Sequence, residues 1–369
     1  MCVLSATTEH RASALGRQSD SRLSRCGPQP AATMRNVASR RAVAALQLAA
    51  ATSPLHLPLL TSAIVGGAAI TLADGTQMPA IGYGTCCRPS ANGPPLVRST
   101  TEYLAQGGRL IDTAQMYGNE AALSMAIRES RLPRSELWIT NKINTGPWSG
   151  DGPINTRTGT LASVEKSLSL LRTDYVDLML IHGTWVLSEA QQLEVWRGLI
   201  DAKTKGYVKR IGVSNFVRSE IETLEKATGV RPCINQLEYH PWVPKETTDL
   251  VRWCQKEGIA VTAYGSLGGS GNKAGELGPA MSANVGKVAE VHGCSNAQVL
   301  LRWALNKGVA VIPGATSAEH IRDNLNVPPF ELTRSDEQLL ARARPQTFRR
   351  WRNLSEEIEA CTKRGAACV

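Results

Sequence analysis

The sequence predicts an α/β protein folded as a (β/α)8 (TIM) barrel with an N-terminal β-hairpin plug. After residue 66, short apolar segments alternate with longer amphipathic ones, and eight such pairs follow one another. A hairpin signal precedes the first pair. Strict alternation requires parallel strands joined by crossover helices, and eight such units close into a barrel.

The elements follow in chain order. Asp74-Gly75 is a strong turn signal between Ala69–Leu72 and Gln77–Pro79, and we expect this hairpin to cover the N-terminal end of the barrel. The predicted strands are Pro79–Thr85, Arg109–Ala114, Leu137–Ile143, Tyr175–His182, Lys209–Asn215, Cys233–Tyr239, Ala260–Ser266 and Val309–Gly314. The helices predicted after them are Leu96–Gln106, Glu120–Ser130, Leu161–Leu171, Glu189–Lys205, Ser219–Lys226, Glu246–Glu257, Met281–His292 and Ala318–Asn324.

An open, doubly wound sheet is the alternative architecture for alternating strands and helices. It would need a Gly-rich phosphate-binding loop that opens a helix directly after the first strand. Gly82-Tyr83-Gly84 does not open a helix in that way. The barrel is therefore favoured.

Composition and charge exclude several classes of function. The chain has 369 residues, of which 42% are hydrophobic and 20% charged, as in a globular protein. Of the net charge of +9, five belong to residues 1–66 and four to the rest, where no basic run is interleaved with aromatics. Nucleic-acid binding is not predicted. The nine cysteines and six histidines lack metal-ligand spacing, so we expect a reducing compartment and no metal site.

The composition of residues 1–66 predicts a targeting segment rather than a folded domain. They hold seven arginines, no lysine and two acids. We expect a transit peptide, cleaved or disordered, that directs the protein to an organelle, a plastid before a mitochondrion. The alternatives are an extension without a targeting role, which would leave the protein cytoplasmic, and a lumenal signal after Arg40-Arg41. Prolines interrupt the uncharged stretch Ala42–Ala73, so no membrane span is expected.

The barrel domain is predicted over residues 67–345. A C-terminal tail over residues 346–369 follows it and could lie near the substrate pocket. We expect a monomer.

Four polar residues lie where predicted strands end. They are Asp112, Tyr117, Lys142 and His182, which follow or close strands two, three and four. Each alone has an ordinary structural explanation, such as a helix cap, a surface lysine, a core histidine or a packed tyrosine. Because active sites of such barrels lie at the carboxyl ends of the strands, their coincidence there favours catalysis.

These residue types suit the reduction of a carbonyl group. Hydride addition leaves an alkoxide, and Tyr117 could donate a proton to it if Lys142 lowers the phenol pKa from about 10. Asp112 would hold the ammonium group in place, and His182 would orient the carbonyl oxygen. This chemistry needs no metal.

The chain resembles the aldo-keto reductase family over roughly Ile70–Ala343. The matching motifs are Leu72-Ala73-Asp74-Gly75 with Met78-Pro79, Ile111-Asp112-Thr113-Ala114 with Tyr117-Gly118-Asn119-Glu120, Ile139-Thr140-Asn141-Lys142, Asp174-Tyr175-Val176-Asp177-Leu178 with Ile181-His182, Gly212-Val213-Ser214-Asn215-Phe216, Asn235-Gln236 with His240-Pro241, and Ile312-Pro313. So many motifs in one order make the resemblance specific.

The resemblance implies the four roles just given and an NADPH cofactor, with NADH possible. It also implies carbonyl reduction of a small-molecule substrate, since members with Glu in place of His182 reduce double bonds. The implied cofactor contacts are Ser214, Asn215 and Gln236 at the nicotinamide carboxamide, Tyr264 stacked on its ring, Ser266 and Leu267 along the pyrophosphate, and Thr316, Asp323 and Asn324 towards the adenine.

Two sets of residues depart from the family pattern. Gly314-Ala315 and His320 stand where a Lys-Ser pair and an Arg usually bind the 2′-phosphate of NADPH. Either Arg322 substitutes for them, or the preference for NADPH over NADH is relaxed.

The second departure concerns the substrate pocket. Cys86, Asn144 and Gly183 replace three tryptophans that commonly line it, which predicts an open, polar pocket for small oxygenated carbonyls. In the alternative, Trp148, Trp185 or the tail around 349–352 restores a wall.

Two other classes of function remain open. A regulatory aldo-keto barrel would bind the cofactor without turnover, and a structural barrel would bind no nicotinamide.

Overall fold

The computed structural model describes residues 68–87, 90–147, 152–268 and 279–342, with the backbone alone at residues 279–282. The predicted presequence, the C-terminal tail and Trp148 lie outside the described residues.

The N-terminal hairpin has the predicted form. Strands β1 (Ala69–Thr71) and β2 (Gln77–Pro79) pair antiparallel around the Asp74-Gly75 turn. Gly75 has a φ of 82°, a conformation that glycine adopts without steric cost. Leu72 and Met78 are buried in one apolar cluster with Leu110, Trp138, Leu178, Leu180, Ile234, Ala310 and Ile312 from the barrel strands. The hairpin therefore packs against the barrel interior.

Eight parallel strands form the barrel, and the predicted fold class is confirmed. They pair in sequence order from first to last. Parallel bonding between Ile81 and Val311 brings the two edges together, with Gly82 N donating to the Val311 carbonyl at 2.8 Å. The strands are β3 (Tyr83–Gly84), β4 (Leu110–Asp112), β5 (Trp138–Ile143), β6 (Val176–Ile181), β7 (Val208–Ser214), β8 (Ile234–Glu238), β9 (Ala260–Tyr264) and β10 (Ala310–Val311).

Each predicted helix is present, and two more occur within the described part of the chain. The helices are α1 (Gly93–Ala105), α2 (Glu120–Ser130), α3 (Arg157–Leu171), α4 (Glu189–Thr204), α5 (Arg218–Thr228), α6 (Lys245–Lys256), α7 (Pro279–His292), α8 (Asn296–Leu305), α9 (Ala318–Leu325) and α10 (Arg334–Ala341). The sequence analysis assigned neither α8 nor α10. Both begin with a capping box, Ser295 with Gln298 and Thr333 with Asp336.

The first and last barrel strands are shorter than predicted. β3 covers two residues and β10 covers two. The flanking backbone still bonds across the seam, since Val311 N donates to the Ala80 carbonyl at 2.8 Å. Regular strand pairing therefore covers fewer residues than predicted at this seam. The residues after β3 form a loop at the barrel mouth.

The described residues contain no helix long and apolar enough to cross a membrane.

Candidate active site

Three neighbouring strands bring the predicted catalytic residues together. Asp112 ends β4, Lys142 lies near the end of β5, and His182 directly follows β6. Tyr117 ends a short 3-10 helix, Gln115–Tyr117, that follows β4. Because parallel strands in a barrel end on the same face, all four side chains reach one mouth.

A buried ion pair lies at the centre of this cluster. Lys142 Nζ donates to Asp112 Oδ1 at 2.5 Å and to the Thr113 carbonyl at 2.8 Å. The side chain of Lys142 is fully buried and that of Asp112 is 4% exposed. Gln236 Nε2 donates to the second carboxylate oxygen, Asp112 Oδ2, at 2.7 Å. The carboxylate is therefore bonded through both of its oxygens, as a buried charge requires.

The two aromatic side chains of the cluster face each other. The rings of Tyr117 and His182 meet edge to face with their centroids 5.6 Å apart. Lys142 Nζ lies 5.4 Å from the centroid of the Tyr117 ring. A phenol, an imidazole and an ammonium group therefore surround one small volume.

Burial dominates the protonation of these groups. It lowers the pKa of His182 well below its usual value, and the positive charge of Lys142 adds to the effect. Burial also lowers the pKa of Lys142, while the Asp112 carboxylate opposes the shift. Burial raises the pKa of Tyr117 well above its usual value, and the negative charge of Asp112 raises it further.

The prediction that Lys142 lowers the pKa of Tyr117 is wrong for this structure. The ammonium group is held by Asp112 and the Thr113 carbonyl, and burial of the phenol together with the negative charge of Asp112 raises the pKa of Tyr117. Tyr117 therefore remains a neutral phenol at physiological pH, with its proton in place.

The residues predicted to bind the nicotinamide form one hydrogen-bonded group beside the ion pair. Asn215 Nδ2 donates to the His182 carbonyl at 3.0 Å and to Ser214 Oγ at 3.1 Å. Tyr264 OH donates to Asn215 Oδ1 at 2.7 Å. Gln236 joins this group to Asp112, as described above. Ser214 Oγ donates to the Gln236 carbonyl at 2.9 Å.

The backbone of Asn215 lies in the left-handed region, with a φ of 61°. Only four residues other than glycine do so among those described. Asparagine tolerates this conformation better than most residues, and such strain is concentrated at functional sites. The conformation follows β7 directly and directs the amide towards His182 and Tyr264.

Two buried polar atoms of the predicted site lack a partner among the described residues. One is Ser266 Oγ, in a residue that is 1% exposed, and the other is His182 Nδ1. Buried polar groups are normally hydrogen-bonded, so an unpaired hydroxyl at the predicted pyrophosphate position fits a site built to receive a ligand. Leu267 follows Ser266 and is half-buried. These residues fit the implied dinucleotide.

The predicted adenine side carries fewer fixed contacts. Thr316 is exposed just before α9, Asp323 is half-buried, and Asn324 is 7% exposed. His320 and Arg322 are exposed on α9, and the Arg322 guanidinium forms no ion pair within the described part of the chain. Two cationic or titratable side chains therefore remain free to approach a phosphate.

On the substrate side, one tryptophan occupies the space next to Gly183. A Cβ on Gly183 would lie 2.6 to 2.9 Å from ring atoms of Trp185, a spacing that real contacts do not allow. The Trp185 ring also lies 5.1 Å from the His182 ring, centroid to centroid. The indole therefore forms a wall beside the predicted carbonyl site, as in the alternative in which Trp185 compensates for Gly183.

The other two predicted substrate residues serve local contacts. Asn144 is 5% exposed, and its Oδ1 accepts a hydrogen bond from Gly146 N at 3.2 Å, within its own loop. Cys86 is half-buried and lies with Cys87 in the loop that follows β3.

Asn119 holds the mouth loops together, a role that sequence reasoning missed. Its Nδ2 donates to the carbonyl of Thr85 at 3.2 Å and to that of Ala91 at 3.0 Å, and its Oδ1 accepts from Thr113 Oγ1 at 2.6 Å. The motif Tyr117-Gly118-Asn119-Glu120 marked the position without indicating these partners.

Comparison with known proteins identifies the family. A sequence model described as "Aldo/keto reductase family" matches residues 81–344. The chain is 35% identical over 267 residues to the 9,11-endoperoxide prostaglandin H2 reductase of Trypanosoma cruzi, covering 72% of this chain and 88% of that protein. It is 36% identical over 266 residues to the methylglyoxal reductase DkgB of Escherichia coli O157:H7, covering 72% and 92%.

Solved structures agree. The crystal structure of a Bombyx mori aldo-keto reductase in complex with NADP superposes with a TM-score of 0.66 at 29% sequence identity, covering 75% of this chain and 92% of that one. The sequence model, the two relatives and the shared barrel converge on one conclusion. The chain belongs to the aldo/keto reductase family.

Proposed function

We propose that the protein reduces an aldehyde or ketone to an alcohol with NADPH, and that Tyr117 is the general acid. The arrangement of Asp112, Tyr117, Lys142 and His182 at one barrel mouth carries the proposal. When bound, the nicotinamide supplies the hydride. Ser214, Asn215, Gln236 and Tyr264 would hold it there, with Ser266 and Leu267 along the pyrophosphate.

The proton comes from Tyr117. Because burial and Asp112 raise its pKa, the phenol is protonated whenever a carbonyl binds, and its proton can pass to the oxygen that becomes an alkoxide. Lys142 stabilises the charge that develops on the phenol oxygen, and Asp112 keeps the ammonium in position. The phenol is restored by a proton from solvent.

The side chain of His182, as a neutral imidazole, orients the carbonyl group of the substrate. Its pKa lies well below the usual range, so the ring is uncharged near neutral pH and can donate one hydrogen bond to the carbonyl oxygen. The adjacent Trp185 ring limits how the substrate can approach His182.

A cofactor-binding regulatory barrel is the alternative function. Two measurements distinguish an enzyme from a regulatory barrel. The protein is first titrated with NADPH to measure binding, and the absorbance of NADPH is then followed after methylglyoxal is added. Consumption of NADPH supports the enzyme. Tight binding of NADPH without consumption, across an aldehyde and ketone panel, would support the regulatory function instead.

We expect that protonation of His182 does not lower kcat/KM near neutral pH. Because His182 stays neutral down to a pH well below its usual pKa of about 6.5, kcat/KM should remain flat as the pH falls from about 8 to about 6. The measurement is kcat/KM for one aldehyde at saturating NADPH across that interval. A tenfold loss centred near pH 6.5 would show that His182 becomes charged in the active enzyme.

We expect a weak preference for NADPH over NADH. Arg322 and His320 are exposed and no lysine follows Pro313, so the 2′-phosphate gains few charge-assisted contacts. His320→Arg should raise the ratio of kcat/KM for NADPH to that for NADH by about tenfold. Arg218→Ala, on α5 and paired with Glu222, is the control and should leave the ratio unchanged. A strong NADPH preference that survives Arg322→Ala would contradict this account.

We expect small dicarbonyl and sugar-derived substrates to be reduced better than steroid ketones, because Cys86 and Asn144 stand where two of the three expected tryptophans would provide apolar walls. Trp185→Ala should lower kcat/KM for phenylglyoxal by about tenfold, since an aromatic wall contributes about 1 kcal/mol or more to a ring substrate. The value for methylglyoxal should change less. Equal losses for both substrates would show that Trp185 acts only by supporting His182.

A further inference from the structure

The spacing of Tyr117 and His182 matters for the proposed reaction. Both side chains would hydrogen-bond the same carbonyl oxygen, so an error in their spacing would slow the proton transfer. Their direct contact is the edge-to-face meeting of two rings, 5.6 Å apart between centroids. Such contacts occur over centroid distances of about 4.5 to 7 Å, so this one does not fix the spacing by itself. The segments that carry the two residues must supply the rest.

A glutamine side chain ties the segment of Tyr117 to two other elements. Gln115 begins the short 3-10 helix that ends at Tyr117. Its Oε1 accepts a hydrogen bond from Asn144 N at 2.8 Å, in the loop after β5. Its Nε2 donates to the Ser163 carbonyl at 3.1 Å and to Ser167 Oγ at 3.0 Å, both on α3. One amide group therefore holds the turn of Tyr117 against the end of β5 and against α3.

The loop after β5 also reaches the backbone next to His182. Thr145 directly follows Asn144 and is fully buried, and its Oγ1 donates to the Gly183 carbonyl at 2.7 Å. The preceding carbonyl, that of His182, accepts from Asn215 Nδ2 at 3.0 Å. The backbone at His182 is therefore held by two side chains, one from the predicted cofactor-binding group and one from the loop after β5.

The middle of this connection is itself fixed. The Asn144 carbonyl accepts a hydrogen bond from Ile154 N at 2.8 Å, and Asn144 Oδ1 accepts one from Gly146 N at 3.2 Å. A single peptide separates the backbone nitrogen that Gln115 binds from the residue whose hydroxyl binds Gly183. Movement at one end of the connection is therefore passed on to the other.

We propose that Gln115 and Thr145 are positioning residues that together set the spacing of Tyr117 and His182. The mouth link is the hydrogen-bonded series of Gln115, Asn144, Thr145 and Gly183. Its two positioning side chains act through Tyr117 and His182 and take no part in the transfer of hydride or proton. The effect on rate rests on the proposed carbonyl reduction, whereas the mouth link itself does not.

The first test removes one hydrogen bond of the mouth link and then restores it. Thr145→Val loses the hydroxyl and keeps a branched side chain. Single-turnover reduction of methylglyoxal at saturating NADPH should slow by about tenfold, while the Kd of NADPH stays within about twofold of the parent, because most cofactor contacts lie on other strands. Thr145→Ser keeps the hydroxyl and should recover most of the rate. An unchanged rate in Thr145→Val, or an equal loss in Thr145→Ser, would overturn the proposal.

A threonine far from the mouth provides the matched control. Thr228 Oγ1, at the end of α5, donates to the Leu224 carbonyl at 2.7 Å and accepts from Trp196 Nε1 at 3.2 Å. Thr228→Val should lower the free energy of unfolding in urea and leave the single-turnover rate unchanged. A loss of rate as large as that of Thr145→Val would show that general stability sets the rate, and would overturn the proposal.

The second test asks whether the two residues act as one unit. Gln115→Met removes all three hydrogen bonds of the amide and should also slow the single-turnover rate by about tenfold. Because a connection broken at one point is already broken, the double variant with Thr145→Val should lose no more than about tenfold. Independent effects would multiply to about 100-fold. A loss of that size in the double variant would overturn the proposal.

The third test needs no turnover. Leu187 N donates to the Thr184 carbonyl at 2.7 Å in the loop after β6, so hydrogen exchange followed by mass spectrometry reports on residues 183–187 of the full chain. Gln115→Met should speed exchange in this segment, and Thr228→Val should not. Unchanged exchange in Gln115→Met would overturn the proposal. If the parent reduced no aldehyde or ketone, the proposed function would fail, and faster exchange in Gln115→Met would still support the mouth link.

Discussion

Tyr117→Phe is expected to lower kcat for carbonyl reduction by about 1,000-fold, the middle of the range for the loss of one general acid, while NADPH still binds. The phenol is the group placed beside His182 and Lys142 with a raised pKa, and phenylalanine keeps the ring contact at 5.6 Å while removing the proton. The measurement is single-turnover reduction together with a fluorescence titration of NADPH.

Tyr264→Phe is the matched control for that variant. It removes another phenol from the same mouth, the one that donates to Asn215. We expect it to weaken NADPH binding and to leave the chemical step nearly intact. Turnover by Tyr117→Phe within about tenfold of the parent, a difference of about 1.4 kcal/mol in barrier, would remove Tyr117 from its role.

Lys142→Met is expected to destabilise the fold as well as to abolish activity. It would leave the Asp112 carboxylate buried with only the Gln236 amide as a side-chain partner, and breaking such a pair costs about 3 to 5 kcal/mol in the free energy of unfolding. The double variant Asp112→Asn with Lys142→Met should recover most of this loss, because no buried charge remains. Urea unfolding of the three proteins measures the difference.

An exposed pair provides the control for this prediction. Lys245 and Asp249 form an ion pair one turn apart on α6, with the Lys245 side chain 81% exposed. Lys245→Met should leave the free energy of unfolding nearly unchanged, since solvent screens exposed pairs. Two results would contradict the stated energy of the buried pair. One is a loss in the free energy of unfolding for Lys142→Met no larger than that for Lys245→Met. The other is a double variant no more stable than Lys142→Met.

The sequence predicted the part of the site that follows from strand geometry. Asp112, Lys142 and His182 end neighbouring strands, and parallel strands in a barrel must end on one face, so their convergence needed no coordinates. The Asp74-Gly75 turn signal predicted the hairpin, and the alternation of strands and helices predicted the order of all eight strands. Helix α8 was missed because one helix was assigned to each repeat, although Ser295 and Gln298 signal its start.

Features that depend on burial or on contact between loops could not be predicted. The raised pKa of Tyr117 follows from the low polarity around its hydroxyl, and the sequence showed only that a cation was nearby. The position of the Trp185 ring against Gly183 depends on how the loop after β6 folds back.

The most direct test of the proposed hydride transfer uses NADPH labelled with deuterium at C4 of the nicotinamide. The unlabelled full chain is incubated with this cofactor and methylglyoxal, and the alcohol product is analysed by mass spectrometry. The account predicts one deuterium on the carbon that was the carbonyl, transferred by the parent protein and lost with Tyr117→Phe. Cofactor binding without deuterium in any product, across the aldehyde and ketone panel, would contradict it.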